Sequence, residues 1–301
     1  MQSRYPYSNR HNPAGRHFWL PVFFVVPLMS VLLLVLVTGT LQAAADGLAW
    51  GELRYPGRGN IRLEAGTVEA WIRYDGDLGE PEPGYSRYTV FQYSDPNGRM
   101  TMTLLFTGND KRGGDPRYLF EIRAQDAQGR ALRRNSGRWK LVPAVSAPLE
   151  HPGKPHHVAV GWDFNTLGIW ISLNGKRVED THIPTPVREC MRAAASTGDI
   201  VFGRGGQYSP ESHFLLDDIR ISDISRAAQQ LSARADQPSV LDPYTLVLDR
   251  LDSVSESEES RETIARYTAG YSDETGARIL GAVQLVPGIH GKALTLYAPP
   301  K

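Results

Sequence analysis

His156-His-Val-Ala-Val-Gly-Trp-Asp163 and Gly168-Ile-Trp-Ile-Ser-Leu173, flanking the turn Asp163-Phe-Asn-Thr-Leu167, decide the fold. Both runs are rich in β-branched and aromatic residues, and both alternate. Val158, Val160 and Trp162 share one face of the first. In the second, Ile169, Ile171 and Leu173 share one face, while Trp170 and Ser172 share the other. Asn174-Gly175 then supplies a two-residue turn into Lys176-Arg-Val178.

The same grammar extends outward. Tyr88-Thr-Val-Phe-Gln-Tyr93 and Met100-Thr-Met-Thr-Leu-Leu-Phe106 stand on either side of Asp95-Pro-Asn-Gly98, a hairpin pattern. Arg117-Tyr-Leu-Phe-Glu-Ile-Arg123 follows and is closed by Asp126-Ala-Gln-Gly129. Strands at this spacing, without a long helical period, imply an all-β sandwich or barrel. One short helix is expected from Ser225 to Arg234, with Ser225 as its N-cap.

The 301 residues include 33 basic and 33 acidic side chains, so no net basic field exists to attract nucleic acid. Neither an RRM, a KH nor a zinc-finger pattern occurs. The first 45 residues differ from the rest. Arg4, Arg10 and Arg16 precede the apolar stretch Phe18–Val37, no acid occurs before Asp46, and Ala43-Ala-Ala45 offers a cleavage site. Two readings stand: a secretory signal removed after Ala45, or an anchor over residues 18–42 holding the chain in the inner membrane. Either places residues 46–301 in the periplasm, at the cell surface or outside the cell, with membrane contact only through the N-terminal segment. The single Cys190 excludes an internal disulfide and reads as a small buried hydrophobe or an intermolecular partner.

Four stretches carry a family resemblance. Gly66-Thr-Val-Glu-Ala-Trp-Ile72, His156 to Asp163, Ile169-Trp-Ile-Ser-Leu-Asn-Gly-Lys-Arg-Val178 and Phe214-Leu-Leu-Asp-Asp-Ile-Arg-Ile-Ser-Asp223 resemble, in order, strands of the bacterial exported laminin G-like domain. That domain is a branch of the concanavalin A-like lectin/glucanase superfamily. Pro155, and Phe214 with Leu215, depart from its usual tryptophan and glycine. The resemblance implies a jelly-roll sandwich of two antiparallel sheets over residues 46–235, after a 1–45 signal or anchor helix. Tyr244-Thr-Leu-Val-Leu-Asp249 and the run from Val286 to Leu296 resemble the family's opening strands, displaced to the C-terminus. Residues 236–301 are therefore expected either to complete the sandwich, the favoured reading because an orphan half would expose apolar edges, or to begin a second unit.

Catalysis is not expected. Retaining glucanases need two carboxyl groups about 5 Å apart, supplied by alternate positions of one strand, and no strand here carries that pattern. No G-x-S-x-G, H-E-x-x-H or P-loop occurs either. The expected function is recognition of carbohydrate or of an envelope or extracellular protein. The alternatives are a membrane-tethered assembly protein without a small ligand, or a glycan hydrolase. Trp170 and Trp71, each opposite an apolar strand face, could stack on a sugar or pack as a second layer. Tyr85, Trp139 and Tyr208 sit in loop-like segments that could add aromatic contacts. Asp217 shares the parity of Ile219 and Ile221, so it is expected to face inward. It would then hydrogen-bond to backbone or help hold a structural Ca2+ with Asp75, Asp77 and Asp199.

Overall fold

The computed structural model describes residues 51–75, 87–108, 115–132, 141–203, 214–234, 236–251, 254–256, 263–265, 277–280 and 284–296. Their strands are β1 (Glu52–Pro56), β2 (Ala65–Tyr74), β3 (Arg87–Ser94), β4 (Met100–Thr107), β5 (Arg117–Ala124), β6 (Ala144–Pro148), β7 (His156–Asp163), β8 (Gly168–Leu173) and β9 (Lys176–His182). Helix α1 (Thr185–Ala193) precedes β10 (Asp199–Phe202) and β11 (Phe214–Ser222). The remaining strands are β12 (Thr245–Asp249), β13 (Val254–Glu256), β14 (Thr263–Ala265), β15 (Arg278–Leu280), β16 (Gln284–Pro287) and β17 (Lys292–Thr295).

Two antiparallel sheets result. One runs β13-β14-β15-β1-β10-β3-β4-β5-β6. The other runs β16-β17-β11-β2-β7-β8-β9, with β12 also paired to β11. C-terminal strands thus join both sheets, β15 beside β1 and β12 and β17 beside β11.

Alternation builds the core between the sheets. Val158, Val160 and Trp162 of β7 meet Ile169 and Ile171 of β8 from one side, and Met102, Leu104 and Phe106 of β4 and Tyr118, Phe120 and Ile122 of β5 lie opposite. Each such side chain, fully buried, contributes about 1.5–3 kcal/mol by leaving water. Trp162 is seated by a glycine: a Cβ on Gly66 would stand 2.3 Å from its ring. Its Nε1–H donates to the Arg62 carbonyl at 3.0 Å. Asn174 and Gly175, at φ 53° and 77°, form the left-handed pair that a two-residue hairpin demands.

Two local expectations are overturned. The segment 225–234 is not an α-helix; only Ala228–Gln230 forms a 3-10 turn. Its backbone groups are taken by the sheet beneath, because Arg220 donates to the Gln230 carbonyl and the Ser232 N–H donates to Glu69. Asp217 does not face the core. The register across β11 and β2 pairs Asp217 with Trp71 and Arg220 with Glu69, so β11 carries one extra residue between them. That bulge centres on Asp218 at φ 54° and reverses the parity, with Leu216 and Ile219 both pointing inward. The apolar leader lies outside the described residues, among which no helix is long and apolar enough to cross a membrane.

Candidate functional site

The outer face of the nine-stranded sheet holds a furrow. Registered neighbours form a row across five strands: Arg54 on β1, Val201 on β10, Gln92 on β3, Thr103 on β4 and Glu121 on β5. A shorter row beside it runs Ser94, Thr101 and Arg123. All point outward because their strand neighbours, such as Tyr93, Met102 and Ile122, fill the core. At about 4.8 Å between strands, the longer row spans roughly 19 Å. Two hollows of about 420 and 310 Å³ lie along it and share Gln92.

Polar groups on rigid strands line this floor, and the furrow's carboxylates are committed. Glu121 is 2.5 Å from the Arg123 guanidinium, and Asp199 is 3.5 Å from that of Arg54. Asp95 accepts the N–H groups of Arg99 and Ala195, both at 3.0 Å. Gln92 donates to Ser94 Oγ at 2.8 Å and keeps its carbonyl oxygen for other donors. Beneath the floor, burial and the nearby Asp95 charge push the Tyr93 phenol up to about 12, so it stays neutral.

The outer face of the other sheet is roofed instead. Glu69, 1% exposed, lies 3.0 Å from His157 Nε2, accepts the Ser232 N–H at 2.9 Å and is ion-paired with Arg220. Burial alone would raise its carboxyl, but the His157 ring, the Arg220 charge and the Ser232 N–H together hold it below the usual range. Arg220 also donates to Gln230 and Val240, and Asp218 accepts the Ser239 N–H at 2.6 Å. Arg226 grips Asp242 with two 2.7 Å hydrogen bonds, which hold that carboxyl well below its usual range. Residues 223–234 and 236–244 are thereby clamped onto β2 and β11.

The two tryptophans of this face are covered by different segments. Trp71 is 6% exposed, with edge contacts to His157 and His290 at centroid distances of 5.5 and 6.0 Å. Trp170 is 4% exposed; its Nε1–H donates to Ser225 Oγ at 2.8 Å and Arg177 sits 4.6 Å above the ring. Both occupy the predicted strand face: Trp71 is packed as a second-layer residue, and Trp170 is capped by the Arg177 guanidinium rather than left open. Tyr85, Trp139 and Tyr208 lie outside the described residues, as does Asp77.

The described aspartates do not gather. Asp217 Oδ2 accepts the N–H groups of Ile289 and His290 at 2.6 and 2.9 Å and thereby anchors the β16–β17 turn. Asp75 is paired with Arg73 at the end of β2, and Asp199 stands on the opposite sheet. Among the described residues, no three His, Cys, Asp or Glu side chains are placed to share a metal ion. Cys190 on α1 is half-buried, with its Sγ–H directed to the Gln125 carbonyl at 3.2 Å and its thiol pushed up by burial.

Two sheets with these features define a lectin-like β-sandwich. A family profile described as the concanavalin A-like lectin/glucanases superfamily matches residues 51–232, and the chain belongs to that family. No curated protein matches the sequence. Among solved structures, a protein of Bacteroides ovatus ATCC 8483, proposed in its description to bind carbohydrate, is 15% identical over 83% of this chain, with TM-score 0.47. The match covers 58% of that protein, less than two thirds of its length. A heptameric SAP-like pentraxin from Limulus polyphemus is 14% identical over 62% of this chain and 77% of its own, with TM-score 0.41. The CBM40 of a Ruminococcus gnavus IT-sialidase, solved with α2,3-sialyllactose, is 13% identical over 50% of this chain and 71% of its own, with TM-score 0.31.

Proposed function

We propose that this chain is an exported carbohydrate-recognition module that holds a short oligosaccharide along the furrow of the nine-stranded sheet without cleaving it. The observation that carries this reading is the row from Arg54 through Gln92 and Thr103 to Glu121, set in register on five strands. Hydroxyl, amide, carboxylate and guanidinium groups at fixed spacing match a ligand whose surface is rich in hydroxyl donors and acceptors. Membership of the lectin/glucanase superfamily supports the same class of ligand. Recognition without cleavage is favoured because the furrow's carboxylates already meet other partners: Glu121 and Asp199 face guanidinium groups, and Asp95 accepts two backbone N–H groups.

A glycan array probed with the full chain tests this. One oligosaccharide class is expected to bind saturably, and removing one hydrogen-bonding group by Gln92→Ala or Thr103→Val to weaken it roughly tenfold. The thermal melt should stay in place. Binding to no saccharide, or equal binding by both variants, would reject the furrow as the site.

A further inference from the structure

A second hollow, of about 500 Å³, lies on the other sheet, where β7, β8 and β9 meet residues 225–227. Its floor consists of two registered rows. One runs Asp163, Gly168 and His182; the other runs Gly161, Trp170 and Asp180. Each row contains a glycine, and the two have different consequences. At Gly161 a Cβ would stand 2.3 Å from the indole, so its absence lets Trp170 lie flat across β7. At Gly168 a Cβ would meet only Thr166 Oγ1 at 3.6 Å and the Thr181 carbonyl at 3.9 Å, which is ordinary contact. Gly168 therefore leaves an open notch between a carboxylate and an imidazole. Ser225 and Arg226 form the wall.

Apart from Arg226, which is held by Asp242, the charged groups around this notch are outside any ion pair. Among the described residues no ion pair involves Asp163, Asp180, Arg177 or His182. Asp163 spends one oxygen on the Asn165 N–H, at 2.7 Å, and keeps the other. Asp180 and His182 are exposed. Arg177, also exposed, rests on the indole and can swing aside, since a solvated guanidinium over a ring is weakly held.

From this geometry we infer a second saccharide site, which takes a single non-acidic sugar ring in the Gly168 notch. The inference rests on the carbohydrate reading above and adds an independent site and ligand class to it. Asp163 on β7 and Asp180 on β9, two strands apart, accept hydrogen bonds from hydroxyls on opposite sides of the ring, and His182 supplies one more polar contact. The apolar face of the sugar replaces the Arg177 guanidinium on Trp170. Two carboxylates against one uncommitted guanidinium select against uronic and sialic acids. The volume lies within the usual range for small-ligand sites.

The test is a titration of the full chain with the methyl glycosides of glucose, galactose, mannose and glucosamine, and with galacturonic acid, followed by ligand-observed NMR. At least one non-acidic glycoside is expected to bind and galacturonic acid to be rejected. Asp180→Asn and Gly168→Ala should each weaken binding tenfold or more, whereas Gln92→Ala should leave it unchanged. Gly168→Ala keeps the test sharp because its methyl group clashes with nothing, so an unchanged melt and lost binding locate the sugar in the notch. Monosaccharide binding untouched by Asp180→Asn and Gly168→Ala but lost in Gln92→Ala would overturn the second site and leave the furrow standing. Oligosaccharide binding on the array with no monosaccharide bound would do the same. No saccharide bound in either experiment would overturn both readings.

Discussion

On the eight-stranded sheet the outward positions Glu69, His157 and Arg220 are covered, each at most 3% exposed; Glu69 is ion-paired with Arg220 and lies 3.0 Å from His157 Nε2. On the nine-stranded sheet the corresponding outward positions Arg54, Gln92, Thr103 and Glu121 floor an open furrow. Both faces arise from the same two-residue alternation, and both replace the apolar side chains of the core with polar ones. What lies above them separates them: Thr103 and Glu121 are also nearly buried, each 7% exposed, but they line a hollow rather than meet a covering segment. A charge that leaves water must be answered within the protein, so the roofed face spends its polar groups on holding the roof. The open face keeps some hydrogen-bonding capacity for a ligand. Polar character on a strand is thus no guide to function until its cover is known.

Deleting a charge from each face should magnify that difference. Glu69→Ala leaves Arg220 and His157 buried without their carboxylate, and breaking a buried pair in this way costs about 3–5 kcal/mol. Urea unfolding of the full chain measures it. A loss of less than about 1 kcal/mol would mean that the 223–244 roof is held by other contacts.

Acid weakens the same clamp more gently, because a protonated carboxyl keeps its shape and part of its hydrogen bonding. The Glu69 and Asp242 carboxyls are both lower in the folded chain than in the unfolded one. Near their ordinary values, about 4.3 and 3.9, the unfolded chain therefore binds more protons. Their stabilising contribution is complete above those values and is lost as the pH falls through the lower folded ones. Melting temperatures recorded from pH 7 to pH 3 should accordingly be level and then fall. In Glu69→Gln the fall should be shallower, and an equally steep fall would assign the acid sensitivity to other carboxyls.

The sheet framework was legible in the sequence because it rests on short-range periodicity. Val158, Val160 and Trp162 against Ile169 and Ile171 needed only alternation, and Asn174-Gly175 needed only its turn chemistry. The bulge at Asp218 was not legible. Asp217-Asp218-Ile219 reads equally well as unbroken alternation, and only pairing with β2 shows the inserted residue. Helix α1 was missed although signals existed: Pro186 in its first turn, and Val187 and Met191 four apart on its buried face. The helix expected at 225–234 failed because Glu69 and Arg220, more than 150 and about 10 residues away, take its backbone groups. The furrow row joins residues 54, 201, 92, 103 and 121, and no local pattern could announce that register. Trp71 and Trp170 were assigned to the right strand face, yet their cover comes from His290 and from Ser225 respectively, both distant in sequence.

Asp217 sharpens the comparison at a smaller scale. Its carboxylate holds the β16–β17 turn through two backbone N–H groups, so Asp217→Asn should cost about 1–3 kcal/mol by replacing a charged acceptor with a neutral one. If anchoring the turn is its role, the melt of the wild-type chain should be the same with calcium and with chelator. A chelator-induced drop of the same size as the Asp217→Asn loss would instead favour calcium, the other of the two roles the sequence left open for this residue.

The smallest stability change belongs to the furrow, and that is what makes it informative. Gln92 is half-buried, and its side-chain amide donates to Ser94, only two residues away. Gln92→Ala should therefore change stability by no more than about 0.5 kcal/mol, as exposed substitutions generally do. Glu69→Ala and Gln92→Ala both remove an outward polar side chain from a central strand, and the comparison predicts opposite consequences. The first should unfold the protein readily while altering furrow affinity little in the molecules that remain folded. The second should leave the melt unmoved and reduce oligosaccharide affinity. A Gln92→Ala chain that lost several kcal/mol would show that the open face is structural too, and the contrast between the two sheets would no longer separate support from recognition.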